Sequence, residues 1–342
     1  MFSHRFHNDP AALLRCRDSI YASDLLVCAI VHLDFFTLLK AGPLNFDEVC
    51  SCLQIVPRPA DVMLSLFQAM QLIELRNSKY GLTPLAAEYL VSDSSVSLVP
   101  YYLSLKNRPQ CQEFYAVLKG GKPAGWSSGE DGTGWMEAMR DESFAASFTA
   151  AMDSRGVYLA QKLAQVVDLT GHQSLLDIAG GSGIYACSLA RRFGHLAAAV
   201  LEISPVDVAA ERSIRDKGME GRVRVITGDM FKLIPEGYDV HLFANTFHDW
   251  DMESIFKLVA MSYAALPPGG AIQVFDAHLN AGKNGPLAVA EYSCLLMHST
   301  EGRCYSTSEI TVLLQEAGFT GVAVENVAAD RTVISGKKEG QQ

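Results

Sequence analysis

A glycine-rich segment follows a short apolar run near the middle of the chain. The sequence LLDIAGGSGIYA occupies residues 175–186, and its glycines stand where an apolar strand would turn into a helix. Glycine lets the backbone turn tightly and lets a ligand touch the main chain. Gly181, Gly183 and Ala186 formally match the spacing of a dinucleotide fingerprint. The segment therefore predicts a turn that binds a nucleotide-containing cofactor, with NAD as one candidate.

Acidic and apolar residues stand at the ends of the next two predicted strands. Glu202 ends the run AVLE, where a carboxylate can accept both hydroxyl groups of a ribose. Asp229 lies in GDMF, where it can accept from an adenine amino group while Met230 and Phe231 enclose the ring. With the glycine turn, these residues predict an adenosine-containing cofactor without deciding which one.

His248 lies in NTFHDWD, residues 245–251, directly after a fourth predicted strand. Ligands of open α/β sheets bind outside the carboxyl ends of the strands. A histidine there can act as a general base, because its ordinary pKa is near neutrality. Asp276 ends the fifth predicted strand, and we expect it to orient the His248 ring. Asp251 is expected to cap the helix that follows.

Short β-rich runs alternate with helical patterns from residue 174 onward. The five runs are Leu175–Ile178, Ala198–Glu202, Val223–Thr227, Val240–Ala244 and Ile272–Asp276. Such alternation is typical of a doubly wound, mostly parallel sheet. Two final runs, Val322–Val327 and Arg331–Ile334, are joined by only three residues and must form an antiparallel hairpin. The predicted class is α/β, a Rossmann-like sheet with a C-terminal hairpin.

The N-terminal third is predicted to be mainly helical. Residues 10–40 show a helical pattern with an apolar stripe from Leu25 to Leu39. Further helices are predicted at Phe46–Leu53 and Ala60–Leu72, followed by a small hairpin within residues 73–82. Helices followed by a hairpin indicate a winged helix.

These patterns divide the chain into three predicted domains. Residues 1–100 are a winged-helix-like domain, residues 101–167 are a helical linker that contributes to a substrate pocket, and residues 168–338 are the Rossmann-like domain. A length of 342 residues suits about two compact domains with a connection.

The composition excludes several classes of protein. Hydrophobic residues make up 49% and charged residues 19%, which excludes extensive disorder. A net charge of −10 and a predicted recognition helix, Pro59–Leu72, without lysine or arginine argue against nucleic-acid binding. The eight cysteines have no zinc-site spacing, so no metal is expected. The longest early apolar stretch, Leu25–Val31, is too short to span a membrane, and we expect a cytoplasmic protein.

The segments LLDIAGGSG, GDMF, HDW and ALPPGG, in this order and with the terminal hairpin, resemble the plant-type O-methyltransferases that depend on S-adenosylmethionine (SAM). That family includes caffeate and acetylserotonin O-methyltransferases and bacterial enzymes of natural-product metabolism. The resemblance implies SAM as cofactor and S-adenosylhomocysteine (SAH) as product. It also implies a small aromatic or polycyclic substrate and a homodimer formed through the N-terminal domain, where the apolar stripe from Leu25 to Leu39 suits a partner helix better than solvent.

The resemblance implies roles for individual residues. His248 and Asp276 would be catalytic. The residues expected to bind the cofactor are Asp177, Gly180, Gly181, Gly183, Glu202, Asp229, Met230, Phe231 and Trp250. The residues expected to line the substrate pocket are Phe148, Met152, Tyr292, Leu295 and His298.

Three positions depart from the family pattern. Ala179 replaces the first of three glycines, which we expect to be a mild change, and Asp276 replaces a glutamate. Cys304 replaces a second orienting glutamate, and a thiol cannot hold an imidazolium as a carboxylate does. His298 and Glu291, seven residues apart on one helix, are candidates to compensate. Two alternatives therefore stay open, a C-methyltransferase acting on a tetrapyrrole-like substrate and a catalytically silent SAM-binding homologue.

Overall fold

The computed structural model describes residues 6–124 and 139–340. Its described residues group into two compact units, each built from separate stretches of the chain. The sheet unit lies within Met1–Leu14, Thr133–His278 and Thr307–Gln342, and the helical unit within Arg15–Gly132 and Leu279–Ser306. The predicted domain boundaries near residues 100 and 167 do not coincide with these units.

The sheet unit contains a seven-stranded sheet with the order β5-β4-β3-β6-β7-β9-β8. Its strands are β3 (Ser174–Ile178), β4 (Ala197–Glu202), β5 (Val223–Thr227), β6 (Val240–Ala244), β7 (Ala271–Asp276), β8 (Thr320–Ala328) and β9 (Arg331–Lys337). Strands β3 to β7 are parallel, and β9 is antiparallel to both β7 and β8. The predicted parallel sheet with a terminal hairpin is therefore confirmed, with strand ends shifted by up to three residues.

Helices accompany the strands of this sheet. Helix α9 (Glu142–Val166) precedes β3, and α14 (Thr307–Glu316) precedes β8. The parallel connections contain α10 (Ile184–Arg192) between β3 and β4, α11 (Val206–Asp216) between β4 and β5, and α12 (Met252–Ala265) between β6 and β7. Leu159 and Leu163 of α9 share one buried core with Leu189 of α10 and with Leu175 and Val200 of the sheet. Strands buried on both faces account for the nearly continuous apolar runs in their sequences.

The helical unit contains most of the N-terminal helices and a two-stranded hairpin. The helices from the N-terminal region onward are α1 (Ala11–Asp18), α2 (Ala22–Val31), α3 (Phe35–Lys40), α4 (Phe46–Leu53), α5 (Pro57–Ala69), α6 (Pro84–Tyr89), α7 (Val99–Tyr102), α8 (Pro109–Gly120) and α13 (Leu287–Ser299). Strands β1 (Ile73–Arg76) and β2 (Lys79–Leu82) pair in antiparallel fashion, as the sequence predicts. Helix α4 begins with a capping box between Asn45 and Glu48, which explains why its predicted bounds are confirmed.

Most of residues 10–40 are helical, as predicted, but they do not form one continuous helix. The structure divides this segment into α1, α2 and α3, with Asp34 between α2 and α3 in the left-handed region at φ 47°. The apolar stripe that suggested a partner helix is buried within the unit instead. Leu25 and Phe36 are fully buried, and Ile30 and Leu39 are 2% and 3% exposed. Periodicity shows that a face is apolar, but only the fold shows what covers that face.

Two further features bear on the class of protein. Within residues 6–124 and 139–340, no helix combines the length and the apolar composition that a membrane crossing requires. All eight cysteines lie in those ranges and are free thiols.

Candidate functional site

The carboxyl ends of five adjacent parallel strands carry the predicted site residues of the sheet unit. In sheet order, Asp229 follows β5, Glu202 ends β4, the glycine turn follows β3, His248 follows β6 and Asp276 ends β7. Because these strands are parallel, their carboxyl ends meet at one edge of the sheet, the usual binding edge of such folds.

The glycine turn packs on the buried carboxylate of Asp177. Asp177 is fully buried, and its Oδ2 accepts from the backbone N–H of Ala186 at 3.1 Å. A Cβ at Gly180 would lie 2.6 Å from the Asp177 carboxyl carbon, so only glycine fits there. Gly183 adopts φ +73° at the start of α10. The turn thus requires glycine for two different reasons, close packing and a left-handed backbone.

Ala179 also occupies the left-handed region, at φ 55°. A residue with a Cβ costs roughly 1–2 kcal/mol in that conformation. The expectation that alanine is a mild replacement for the family glycine is therefore wrong, because the turn demands a backbone that alanine adopts with strain. The adjacent contacts hold it there, including the bond from the Ala179 N–H to the Leu201 carbonyl at 2.9 Å.

Glu202 contacts the glycine turn directly. Its Oε1 accepts from the N–H of Gly181 at 2.9 Å, and its Oε2 accepts from the N–H of Ile203 at 3.0 Å. The side chain is 9% exposed. The end of β4 is therefore joined to the turn by the carboxylate that the sequence predicts as a ribose acceptor.

Burial raises the pKa of Asp177 to about 7 and that of Glu202 to about 7. Asp177 Oδ1 is buried and has no hydrogen-bond partner among the described residues. Two buried acidic groups beside one turn favour a ligand that brings hydrogen-bond donors and positive charge, since both stabilise the ionised carboxylates. SAM carries an ammonium group, a sulfonium and a ribose diol, so these residues fit it.

Asp229, Met230 and Phe231 lie together after β5. Asp229 Oδ1 accepts from the N–H of Phe231 at 2.9 Å, and Met230 is 8% exposed. The Phe231 ring meets the Trp250 ring edge to face, with centroids 4.6 Å apart. An acceptor beside apolar and aromatic side chains can hold the edge and face of a purine.

His248 forms a buried pair with Asp276. Nδ1 of His248 lies 2.5 Å from Oδ1 of Asp276, and the two residues are 4% and 2% exposed. Asp276 is fixed by the backbone, because its Oδ1 also accepts from the Ala277 N–H at 2.7 Å. The shorter carboxylate at position 276 therefore reaches the ring. A carboxylate only accepts, so Nδ1 carries the proton and the lone pair lies on Nε2.

The pair shifts the pKa values of both members. Burial alone would lower the pKa of His248, but the charges of Asp276 and Asp249 and the bond to Asp276 outweigh burial and raise it. Burial alone would raise the pKa of Asp276, but His248 outweighs it and holds that pKa below its ordinary value. The electrostatic arrangement thus favours the imidazolium–carboxylate form, as a proton acceptor requires.

Two neighbours of His248 were not singled out from the sequence. Asp249 Oδ1 lies 3.6 Å from His248 Nε2. Asn245 adopts φ 54°, and its Nδ2 donates to the Tyr185 hydroxyl at 2.9 Å. Asn245 directly follows β6 and belongs to the motif that contains His248, so its position at a strand end was the available signal.

The predicted substrate-pocket residues fall in both units. Phe148 and Met152 lie half-buried on α9 of the sheet unit. Tyr292, Leu295 and His298 lie on α13 of the helical unit. Phe148 and Met152 therefore belong to one unit, and Tyr292, Leu295 and His298 belong to the other.

His298 and Glu291 have partners of their own within the helical unit. His298 Nε2 lies 2.8 Å from Glu113 Oε2, and its ring stacks on Tyr21 at 4.4 Å. Glu291 accepts two bonds from the Arg15 guanidinium, at 2.6 and 2.9 Å. These partners do not support the expectation that the two residues compensate for Cys304. The orientation of the His248 ring is supplied by Asp276.

A metal centre has no counterpart in the described part of the chain. No group of three or more histidine, cysteine, aspartate or glutamate residues there has the geometry to hold a metal ion.

Comparisons with known proteins identify the family of the chain. A profile of the O-methyltransferase domain family matches residues 115–320. The 3-hydroxy-5-methyl-1-naphthoate 3-O-methyltransferase of Streptomyces sahachiroi is 29% identical over 96% of this chain and 95% of that protein. A family 2 O-methyltransferase of Planctomyces limnophilus, solved with apigenin, is 27% identical, with a TM-score of 0.88 over 98% of both chains. Human N-acetylserotonin methyltransferase, solved with SAM, has the same fold, with 22% identity and a TM-score of 0.60 over 98% of this chain and all of that one.

The family profile covers more than half of the chain. Of the two candidate cofactors, SAM is therefore the one that this chain uses, and NAD is not. The chain belongs to the O-methyltransferase domain family and is an enzyme that uses S-adenosylmethionine.

Proposed function

We propose that this enzyme transfers a methyl group from SAM to a hydroxyl of a small aromatic or polycyclic natural product, with His248 as general base. The observation that carries the proposal is the buried His248–Asp276 pair at the carboxyl edge of the sheet. A positioned base of this kind accelerates proton removal by about 10²–10⁴-fold.

The residues proposed to hold the cofactor lie at or just beyond the carboxyl ends of β3, β4, β5 and β6. Asp177 and Glu202 would bind the charged and hydroxyl groups of the cofactor. Gly180, Gly181 and Gly183 would let the cofactor approach the backbone closely. Asp229, Met230, Phe231 and Trp250 would enclose the adenine. When bound, SAM supplies an electrophilic methyl group.

His248 then has one defined task in the reaction. Nδ1 is committed to Asp276, so the substrate hydroxyl gives its proton to Nε2. The imidazolium formed is stabilised by the carboxylates of Asp276 and Asp249. Burial of Asp276 keeps water from weakening its interaction with the ring, whereas the Asp249 side chain is 34% exposed.

The proposed substrate class follows from the relatives and from the candidate pocket residues. The Streptomyces sahachiroi relative acts on a hydroxynaphthoate, and the Planctomyces limnophilus relative was solved with the flavone apigenin. Both compounds are phenolic and contain fused rings. On α9, Phe148 and Met152 are aromatic and sulfur-containing side chains of a kind that suits a flat ligand. On α13, Tyr292, Leu295 and His298 are aromatic or branched. The bond from His248 to Asp276 provides an oriented base for a hydroxyl proton, which supports O-methylation over C-methylation or a silent homologue.

We also propose a homodimer formed through the N-terminal, winged-helix-like region. The surface cannot be the stripe from Leu25 to Leu39, which is buried within its own unit. Val96, Leu98, Tyr101 and Leu103 offer a different apolar segment, with exposed fractions of 49%, 44%, 77% and 47%. Light scattering should give twice the chain mass at micromolar concentration, and Tyr101→Glu with Leu103→Glu should give the single mass. A wild-type monomer would contradict the proposal.

The function is tested by binding first and by product analysis second. Calorimetric titration with SAM, SAH and NAD should show binding of the first two only, weakened by Glu202→Ala and unchanged by Glu236→Ala on the exposed surface. Incubation with SAM and a panel of hydroxynaphthoates, flavones and tetrapyrroles should then give SAH together with a methoxy product from a phenolic member. A new carbon–methyl bond would favour the C-methylation alternative, and binding without turnover of any member would favour a silent homologue.

A further inference from the structure

Helix α9 contacts the glycine turn through a side chain that the cofactor site does not use. Asp153 of α9 accepts a hydrogen bond from the Ser182 hydroxyl at 2.6 Å. Ser182 lies between Gly181 and Gly183, so this bond ends on the turn itself. Asp153 directly follows Met152, one of the predicted substrate-pocket residues.

A buried lysine balances the charge of Asp153. Lys217 Nζ lies 2.8 Å from Asp153 Oδ1, and the two side chains are 7% and 16% exposed. Lys217, just beyond α11, also hydrogen-bonds the Ser213 hydroxyl. In an ion pair so shielded from solvent, losing one partner leaves an uncompensated charge. Asp153 therefore connects three elements, α9, the glycine turn and the end of α11.

The contact belongs to a longer seam between α9 and α10. A Cβ at Gly156 would lie 2.7 Å from the Ile184 side chain, so the α9 backbone packs directly on the first residue of α10. One turn further, the Ser188 hydroxyl donates to the Ala160 carbonyl at 3.0 Å. Residues 153, 156 and 160 share one helical face, with the spacing that places successive contacts above each other. Of these contacts, the one made by Asp153 reaches the turn.

We propose that Asp153 is a positioning residue that fixes the glycine turn to helix α9 through Ser182, with Lys217 holding its carboxylate in place. The cofactor turn and the helix that carries Met152 then keep one relative position. The inference concerns the binding of the cofactor and does not depend on His248 as the base, so it stands or fails separately from the proposed general-base mechanism.

The test compares two serine variants of the same seam. Ser182→Ala removes the bond to Asp153 but leaves the Asp153–Lys217 ion pair, whereas Ser188→Ala removes the bond to Ala160 away from the turn. Ser182→Ala should weaken SAH binding by roughly 5-fold to 10-fold, as loss of a charge-assisted hydrogen bond implies. Ser188→Ala should leave SAH binding unchanged. Both should lower the thermal midpoint to a similar extent, because each loses one seam contact.

A double-mutant cycle provides the second readout. Asp153→Asn should weaken SAH binding by about 10-fold in the wild-type background and by clearly less in the Ser182→Ala background, because the two residues share one interaction. Ser182→Ala keeps the test valid if Asp153→Asn does not fold. Wild-type SAH affinity in Ser182→Ala, or equal losses in Ser182→Ala and Ser188→Ala, would overturn the proposal.

Discussion

The carboxyl edge of the sheet and its interior each hold a buried histidine, and the two have opposite acid–base character. At the edge, His248 pairs with Asp276 and its pKa is raised. Inside the sheet, His241 of β6 pairs with the Ser262 hydroxyl at 2.8 Å, and burial lowers its pKa to about 4. Burial disfavours an imidazolium, and a hydroxyl partner does not offset that cost whereas a carboxylate does.

His278 shows that nearness to a carboxylate is not sufficient. It lies two residues after Asp276, yet its Nδ1 pairs with the Thr332 hydroxyl at 2.7 Å and burial lowers its pKa to about 4. The Asp276 charge acts on both histidines, but only His248 takes its hydrogen bond. A direct bond to a fixed carboxylate therefore distinguishes the candidate base from the histidines that only fill the core.

The strongest way to break this comparison is to remove each histidine in turn. His248→Ala should lower kcat/KM for a phenolic substrate by about 10²–10⁴-fold, because the hydroxyl proton loses its acceptor. The matched control is His241→Leu with Ser262→Ala, which removes the interior pair without leaving a polar group unpaired, and its turnover should stay near wild type. Equal activity of the two variants would show that the edge histidine has no special role.

The carboxylate that defines the edge pair can be neutralised on its own. A base works only when unprotonated, so wild-type kcat/KM should rise with pH through the raised pKa of His248. Asp276→Asn removes the charge that favours the imidazolium. The pH range over which kcat/KM rises, the rising limb of the profile, should therefore move to lower pH. We expect a loss of roughly 10-fold to 100-fold at the wild-type optimum, measured as a pH–rate profile. An unshifted limb would mean that another group titrates.

The interior histidine should be visible in stability rather than in rate. The unfolded chain takes up a proton on His241 near its ordinary pKa of 6.5, but the folded chain resists until about pH 4. Stability is therefore lost as pH falls through this window, by about 3 kcal/mol for this group. Urea unfolding of the wild type should show that the free energy of unfolding falls between pH 6.5 and pH 4. In the variant His241→Leu with Ser262→Ala, this fall should be smaller by that amount. The exposed-histidine variant His7→Ala should show the full wild-type loss.

The smallest expected effect concerns the backbone at the same edge. Ala179 and Asn245, which follow β3 and β6, both adopt left-handed conformations. Such strain accumulates at functional sites. Ala179→Gly should raise the free energy of unfolding by about 1 kcal/mol, because glycine adopts φ 55° without a Cβ clash. A loss of stability in chemical denaturation would show that the chain entropy of glycine outweighs the strain.

The fold was largely predictable because its signals are local. The sheet strands, the terminal hairpin and α4 follow from apolar runs, short connections and a capping box, all readable within a few residues. The division of residues 10–40 into three helices was not predicted, because the break at Asp34 depends on a left-handed residue that periodicity does not reveal. The interface assigned to the Leu25–Leu39 stripe failed because an apolar face looks alike whether its own unit or a partner covers it.

The sequence by itself determined the order of the strands along the chain and the chemical types at their carboxyl ends. Those types sufficed to predict an adenosine-containing cofactor and a histidine base. The sequence also predicted that Asp276 orients His248, but only the tertiary structure decided the bond itself, because a hydrogen bond between residues 28 positions apart depends on the pairing of β6 with β7. The tertiary structure likewise decided that Ala179 is strained and that Asp153 reaches the glycine turn, since backbone conformation and helix packing arise only when the whole sheet is assembled.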